Sequence, residues 1–339
     1  MKLERFASLT ARYRQLRFAV VGDFCLDRYL EIDPTLRETS LETGLPVHNV
    51  VKVRAEPGGA GTVLNNLCAL GATVFPVGFH GADGEGYELR RALASRPGVH
   101  LDYLLETSTR RTFTYCKPLI MEPGKPPREL NRLDSKNWTA TPPELQKKLS
   151  ASLYELGSRV DGIMLLEQTE IPETGVIGPA ILKTVAQLHQ QKPQLPILAD
   201  SRLGLRGYPP VTFKMNRREF LKLAGAPETT SLTECMQMAS AFSKETGQPL
   251  FVTLAEDGLL GATPDGVVKH QPALPVRGPL DIVGAGDAVS ANLLCALAAG
   301  ATLEEALELA AAAASVVIHK LGVTGTATPQ EIQPLLEME

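Results

Sequence analysis

Residues Asp281-Ile282-Val283-Gly284-Ala285-Gly286-Asp287 carry the sharpest chemical signal in the chain. They stand just before a stretch with a helical pattern. Two glycines let the backbone turn its N–H groups toward one point, and a helix N-terminus adds about half a positive charge there. That cradle suits a phosphoryl group or its transition state. Asp287 falls in the first helical turn, where a carboxylate can take a proton from an attacking hydroxyl. The plainer reading is a Gly-rich turn with Asp287 as a helix cap. The local context favours the chemistry.

Pro57-Gly58-Gly59-Ala60-Gly61-Thr62 also precedes a helical pattern. Adjacent glycines let a ligand approach the main chain, though a simple strand-to-helix turn has the same composition. Asp23 and Asp27 follow an apolar run, Phe18 to Gly22. The carboxyl ends of strands are where open α/β sheets bind ligands. Asp27 could accept from two sugar hydroxyls, or be a solvated loop acid. Glu167 ends the run Ile163-Met164-Leu165-Leu166. Asn216-Arg217-Arg218-Glu219 reads either as a helix cap or as a water-mediated holder of metal and phosphate. GxxxxGK[ST], the strand–GxGxxG–helix fingerprint, HExxH and GxSxG do not occur, which removes the chemistries they serve.

The elements that must position these residues alternate in kind. Short apolar runs near 18–22, 74–78, 162–166, 196–199 and 250–254 read as buried strands. Amphipathic stretches near 62–70, 84–94 and 143–158 lie between them. The alternation predicts an α/β doubly wound sheet with helices on both faces, although pattern alone leaves a (β/α)8 barrel open. Residues 27–57 and 110–134 break the rhythm with half-exposed, alternating stretches read as antiparallel strands. They are either one small sheet built from two excursions or two separate hairpins. The Pro-rich patch 122–127 reads as a turn between two of these strands. Residues 287–299 form an alanine-rich helix stopped by Gly300, and Thr302-Leu303-Glu304-Glu305 is a capping box that opens the next.

Composition sets outer bounds. The 339 residues are 44% hydrophobic, enough for a large core, and carry a net charge of -4, which argues against a broad nucleic-acid face. No run approaches the ~18 apolar residues that span a bilayer. The first residues lack the apolar core of a secretory signal, and five scattered cysteines read as reduced thiols. A cytoplasmic protein without membrane or nucleic-acid partners is the expectation.

Together these motifs resemble the ribokinase-like, or PfkB, carbohydrate kinases, from about Phe18 to Ile332. Val20 to Asp27 looks like the family's opening strand and sugar-binding Asp. Gly58-Gly59-Ala60 and Leu70-Gly71-Ala72 look like its first signature, and Gly81, Asp83 and Gly86 like the segment that follows. Asp281 to Asp287 looks like its second signature. Asp27-Arg28-Tyr29, Leu45-Pro46-Val47, Arg132-Leu133-Asp134 and Lys320-Leu321-Gly322 are most similar to the heptose-7-phosphate kinase branch.

The resemblance implies a single ribokinase-like domain over 1–339, a three-layer sandwich with a central mostly parallel sheet. The excursions 27–57 and 110–134 would form a small β lid through which two copies dimerise. It implies transfer of the γ-phosphoryl of ATP to a hydroxyl of a sugar or sugar phosphate, with Mg2+ and with a monovalent cation such as K+ near Asp281 and the 319–326 loop. Asp287 would be the base and Gly284, Ala285 and Gly286 the anion hole. Asp27, Gly58, Gly59, Thr62, Arg111 and Glu167 would hold the sugar. Arg202, Asn216, Glu219, Thr253 and Gly258 would hold the nucleotide, with Glu219 and Asp281 toward metal. An adenylyltransferase domain, fused to some members of the branch, is expected to be missing.

The chain departs from the pattern at five places. Thr62 stands where the family often has Asn, and Leu166-Glu167-Gln168 where the branch has Ser-Asp-Tyr. Thr114-Tyr115-Cys116-Lys117 replaces T-K-x-R, Ala311 aligns with a nucleotide-side Asn, and Ile282 replaces a Thr. A guanidinium fork and an ammonium recognise phosphate differently. The alternatives are therefore a non-catalytic sugar-phosphate-binding protein on the same fold, or a nucleoside kinase.

Overall fold

The computed structural model describes residues 1–337. Helix α1 (Leu3–Tyr13) leads to β1 (Arg17–Gly22), and the chain then leaves the main sheet as β2 (Phe24–Thr39) and β3 (Pro46–Gly59). It returns through α2 (Ala60–Ala69), β4 (Thr73–Gly81), α3 (Gly84–Ala94) and β5 (Leu104–Thr107). A second excursion supplies β6 (Phe113–Ile120), β7 (Arg128–Glu129) and β8 (Leu133–Ser135). Next come α4 (Pro143–Leu156), β9 (Gly162–Glu167), α5 (Pro179–Gln191), β10 (Ile197–Ser201) and β11 (Thr212–Asn216). They are followed by α6 (Arg217–Ala224), α7 (Leu232–Thr246) and β12 (Leu250–Thr253). After the hairpin of β13 (Leu259–Ala262) and β14 (Val268–Gln271) come α8 (Ala285–Ala298), α9 (Leu303–Val317) and α10 (Pro329–Leu336).

The main sheet has the order β14-β13-β12-β11-β10-β9-β1-β4-β5. It is an open sheet, which settles the barrel alternative. Pairing is parallel except at the β12–β13–β14 edge. Central strands are apolar on both faces because helices cover both. Phe18 and Val20 pack with Leu64, Leu293 and Leu309 on one side. Ala19 and Val21 pack with Leu149, Leu153 and Ile181 on the other. The sequence alternation of period two thus divides between two cores and gives the three-layer α/β sandwich.

The two excursions form one five-stranded outer sheet, ordered β3-β2-β6-β7 with β8 also on β6. β2 and β3 are antiparallel, as expected. β2 and β6 are not: they run parallel, pairing Cys25 with Phe113 through Ile32 with Ile120. Both excursions leave from the carboxyl side of the parallel sheet, so both start in the same direction. Periodicity carries no sign of direction, so the sequence pattern could not show this. All five cysteines are free thiols, four of them buried. No helix among the described residues is long and apolar enough to cross a membrane.

Candidate active site

Because the central strands are parallel, their carboxyl ends converge on one rim. Asp23, Glu167, Arg202, Asn216 and Thr253 lie at or just past these ends. Asp23 is fully buried and holds the rim together. Its carboxylate accepts from the N–H of Gln168 (2.8 Å), Thr169 (3.1 Å) and Val176 (2.7 Å). Its carbonyl accepts from the N–H of Ala60 at the start of α2. Burial pushes its carboxyl up, and the three donors oppose that push. Asp23 is therefore a structural tie between three segments of the site.

Helices α6, α7, α9 and α10 each open with a reciprocal capping box. α2 and α8 instead open at Gly59 and Gly284, with no side-chain cap. Gly284 has φ 82°, a left-handed conformation that favours glycine. The first N–H of each helix is taken by a backbone carbonyl, Ala60 by Asp23 and Ala285 by Ile282, and the N–H groups that follow have no side-chain acceptor. The two starts meet: a Cβ at Gly284 would stand 3.7 Å from Cγ2 of the buried Thr62. Asp281 ties the turn in place, accepting from the N–H of Val283 and of Gly322, both at 3.1 Å.

Asp287 lies in the first turn of α8, largely surrounded by protein atoms but still touched by solvent. Burial pushes its carboxyl up to about 7. Lys214 and Arg202 pull it down, and Asp200 and Asp27 push it further up. Asp27, 260 residues earlier in the chain, is thus an electrostatic neighbour of the expected base. Lys214 and Asp200 were not picked out from sequence. Lys214 Nζ lies 2.7 Å from Asp200 Oδ2, and both side chains are largely buried. The available signal was a lysine inside the apolar strand Thr212-Phe213-Lys214-Met215.

β2, β3 and β6 pair with one another around Asp27. Asp27 Oδ1 pairs with Lys117 Nζ at 3.0 Å, and Lys117 reaches Tyr29 Oη at 3.4 Å. Gly58 sits against the Asp27 carboxylate, which a side chain there would displace. Gly59, at φ +57°, is packed against the Asp23 carbonyl and the Gln168 side chain. Glu167 is buried and accepts from Ser201 and Tyr208 hydroxyls. Burial pushes its carboxyl up, against those two donors. With its amide oxygen toward the guanidinium, Gln168 accepts from Arg202 Nη2 at 2.6 Å. Arg202 therefore reaches the Gln168 side of the rim as well as lining the cleft beside α6. Arg111 differs from these: its backbone is clamped by Asn137, while its exposed guanidinium helps hold the Asp83 carboxyl down. Its side chain is not joined to the Asp27 group by a hydrogen bond or ion pair.

On the other side of Arg202 lies a cleft of about 660 Å³ between the 202–206 loop and α6. Arg206, Arg218, Lys222, Asn216 and Glu219 line it. Asn216 and Glu219 cap each other: the Asn216 N–H donates to Glu219 Oε2 (2.8 Å), and the Glu219 N–H to Asn216 Oδ1 (2.9 Å). The cap reading therefore holds, and it leaves Glu219 Oε1 for other partners. Burial pushes the Glu219 carboxyl up. Thr253 ends β12 opposite Asn216. Gly258, at φ +93°, makes the turn into β13, where a Cβ would meet the Gln271 carbonyl.

Among the described residues no group of three or more His, Cys, Asp and Glu is placed to hold a metal ion. Mg2+ is commonly held by one or two carboxylates plus substrate phosphates. Glu219, with one free oxygen beside the cationic cleft, fits such an ion. Both Asp281 oxygens already accept backbone N–H groups, which fits a loop tie better than a direct ligand.

A family model described as "pfkB family carbohydrate kinase" matches residues 19–331. The chain belongs to the pfkB family of carbohydrate kinases. It is 32% identical over 321 residues to the "Bifunctional protein HldE" of Azorhizobium caulinodans, covering 94% of this chain and 64% of that protein. It is 30% identical over 337 residues to the protein of that name from Trichlorobacter lovleyi, covering 98% and 65%. The chain thus spans a little under two thirds of these relatives. Among solved structures, the pfkB chain superposes on Arabidopsis thaliana ribokinase complexed with ribose and ATP. The TM-score is 0.68 at 21% identity, covering 96% of this chain and 99% of that one. Phosphofructokinase-2 from Escherichia coli, in complex with fructose-6-phosphate, gives 0.66 at 17%, covering 95% and 98%. These likenesses show the ribokinase-like fold.

Proposed function

We propose that the chain is an ATP-dependent sugar kinase that transfers the γ-phosphoryl of ATP to a hydroxyl of a sugar or sugar phosphate. The observation that carries the reading is the meeting of Asp287, Gly284 and Thr62 at two uncapped helix starts, with Asp27 as a charged neighbour. The acceptor hydroxyl gives its proton to Asp287. Its oxygen forms the new bond to phosphorus while the bond to the ADP oxygen breaks. The N–H groups of Gly284 and Gly286 face the charge that develops on the phosphoryl, while that of Ala285 is taken by the Ile282 carbonyl. Asp27, Gly58, Gly59, Thr62 and Glu167 hold the acceptor. Arg111, with its backbone clamped by Asn137 and its side chain exposed, is left out of that set.

Arg202, Asn216, Thr253 and Gly258 take the nucleotide, with Arg202 between the two substrates. Glu219 would hold Mg2+, which neutralises phosphate charge when bound. No step is assigned to a monovalent cation. The outer sheet is read as a lid, which would exclude water from the rim. Its edge strand β3 exposes Val47, Val51 and Val53. A long apolar edge invites pairing, so a second copy of the chain is the proposed cover.

Heptose 7-phosphate is the favoured acceptor class, from the branch motifs. The test is ADP release with Mg-ATP across heptose 7-phosphate, fructose 6-phosphate and ribose, repeated with Asp287→Asn. Sugar-dependent turnover lost in the variant supports the reading. Tight binding of a sugar phosphate without turnover would transfer the assignment to a binding protein.

A further inference from the structure

Lys214 reaches out of an apolar strand and ends beneath the first turn of α8. A Cβ on Gly286 would stand 3.3 Å from its Nζ. The lysine is 6% exposed. This is an unfavourable place for an ammonium. A helix N-terminus repels cations, and burial penalises any charge. Burial indeed works against its protonation, yet Asp200, Asp287 and Glu219 together hold its pKa above the ordinary value. Asp200 does so by direct contact, 2.7 Å away. Ser290, one turn further along α8, has its Oγ 3.1 Å from the Gly286 carbonyl and 3.4 Å from Asp200 Oδ2. The ion pair is thereby fastened to the helix that carries Asp287.

We propose that Lys214, held by Asp200, is a positioning residue for Asp287, supplying the fixed positive charge against which that carboxylate is oriented. The proposal rests on the kinase reading above. A buried ion pair of this kind is rarely a gain in stability over apolar residues, so a role in the site is the better account of it.

The charges around Asp287 come from four places. Lys214 on β11 and Arg202 after β10 favour its ionised form; Asp200 on β10 and Asp27 on β2 oppose it. α2 contributes the neutral Thr62, and the loop before α10 contributes the Thr324 methyl near Gly284. Lys320 in that loop is engaged by Glu331 and the Thr326 carbonyl. Asp287 itself stands as the one acid in the first turn of α8. Removing either member of the pair therefore acts on Asp287 with opposite sign.

The experiment is the pH dependence of kcat for the wild type, Lys214→Gln, Lys214→Arg and Asp200→Asn, with thermal melts to establish folding. Lys214→Gln is expected to move the acid limb up by about 1 pH unit or more, the size of shift a close opposite charge produces. Asp200→Asn moves it down, and Lys214→Arg leaves it in place. KM for the acceptor changes little in each. Loss of kcat in Lys214→Gln and Asp200→Asn without opposite displacement of the limb overturns the proposal. If the wild type turns over no sugar, the kinase reading fails on its own. Carboxyl 13C NMR of the ligand-free proteins then still decides the matter. An Asp287 titration raised in Lys214→Gln upholds the proposal, and an unmoved one overturns it.

Discussion

A Cβ on Gly58 would press directly on Oδ2 of Asp27. Gly58 on β3 pairs with Cys25 on β2, two residues from Asp27, so the contact crosses one ladder. The group displaced by a side chain there is the tip of Asp27 rather than backbone. Gly58→Ala is therefore expected to fold, with Asp27 rotated off its pairing with Lys117. Lost hydrogen bonds to a charged group are worth about 1.5–3 kcal/mol, or roughly tenfold to a hundredfold in binding. KM for the acceptor should rise by that amount while the melting temperature stays within about 2 °C. A large drop in melting temperature with unchanged KM would make Gly58 a packing residue only.

Asp287 should give the enzyme its acid limb. A base must be ionised, so with its carboxyl pushed up to about 7, activity falls as pH drops below that value. Asp287→Asn should cost ~10²-fold or more in kcat. The same shift has a stability consequence of fixed sign. A carboxyl raised above its unfolded value favours the fold while protonated, below about pH 4, and that advantage is lost as pH rises through about 7. Asp287→Asn should therefore melt higher than the wild type at pH 8, by on the order of 2 °C, and gain nothing at pH 4. Equal melting temperatures at both pH values would count against the buried setting described above.

Asp23 makes a contrasting prediction. Of its three backbone donors two are buried and that of Gln168 is partly so, and Asp23→Ala would leave them without partners. Each unsatisfied group costs about 1–3 kcal/mol, so the loss should be ~3 kcal/mol or more. Urea denaturation measures it. Because β9 ends at Glu167 and the tied loop after it begins with Gln168, acceptor binding should weaken as well. A variant as stable as the wild type would show that water or a shifted loop satisfies those N–H groups.

What the sequence showed, and what it hid, follows from the range of the interactions. Strands buried on both faces leave continuous apolar runs, so Phe18 to Val21 and Ile163 to Leu166 were readable directly. The turn at Gly284 was readable because few residues adopt its backbone conformation. The Lys214–Asp200 pair was not. It arises because β10 and β11 align Leu198 with Thr212 and Ala199 with Phe213, which brings the next charged residues side by side. That register is a property of the assembled sheet. The tie made by Asp23 depends on the 168–176 loop folding back, and the parallel pairing of β2 with β6 depends on where two distant excursions begin. Asn216 and Glu219 were readable both as cap and as phosphate-side residues, and the structure makes the cap without removing the second role.

Glu219→Gln separates those two roles. The capping box needs an acceptor for the Asn216 N–H, now 2.8 Å from Glu219 Oε2, and a glutamine amide oxygen supplies one. The N–H of residue 219 continues to donate to Asn216 Oδ1. The cap therefore survives, and the melting temperature should stay within about 2 °C of the wild type. What the variant lacks is negative charge beside the cleft of Arg202, Arg206, Arg218 and Lys222. A carboxylate attracts a hard divalent cation that a neutral amide holds poorly. The Mg2+ concentration for half-maximal activity should accordingly rise by roughly tenfold, while KM for the sugar is unchanged. An unaltered Mg2+ dependence in the folded variant would reduce Glu219 to a helix cap and place the metal wholly on the phosphates.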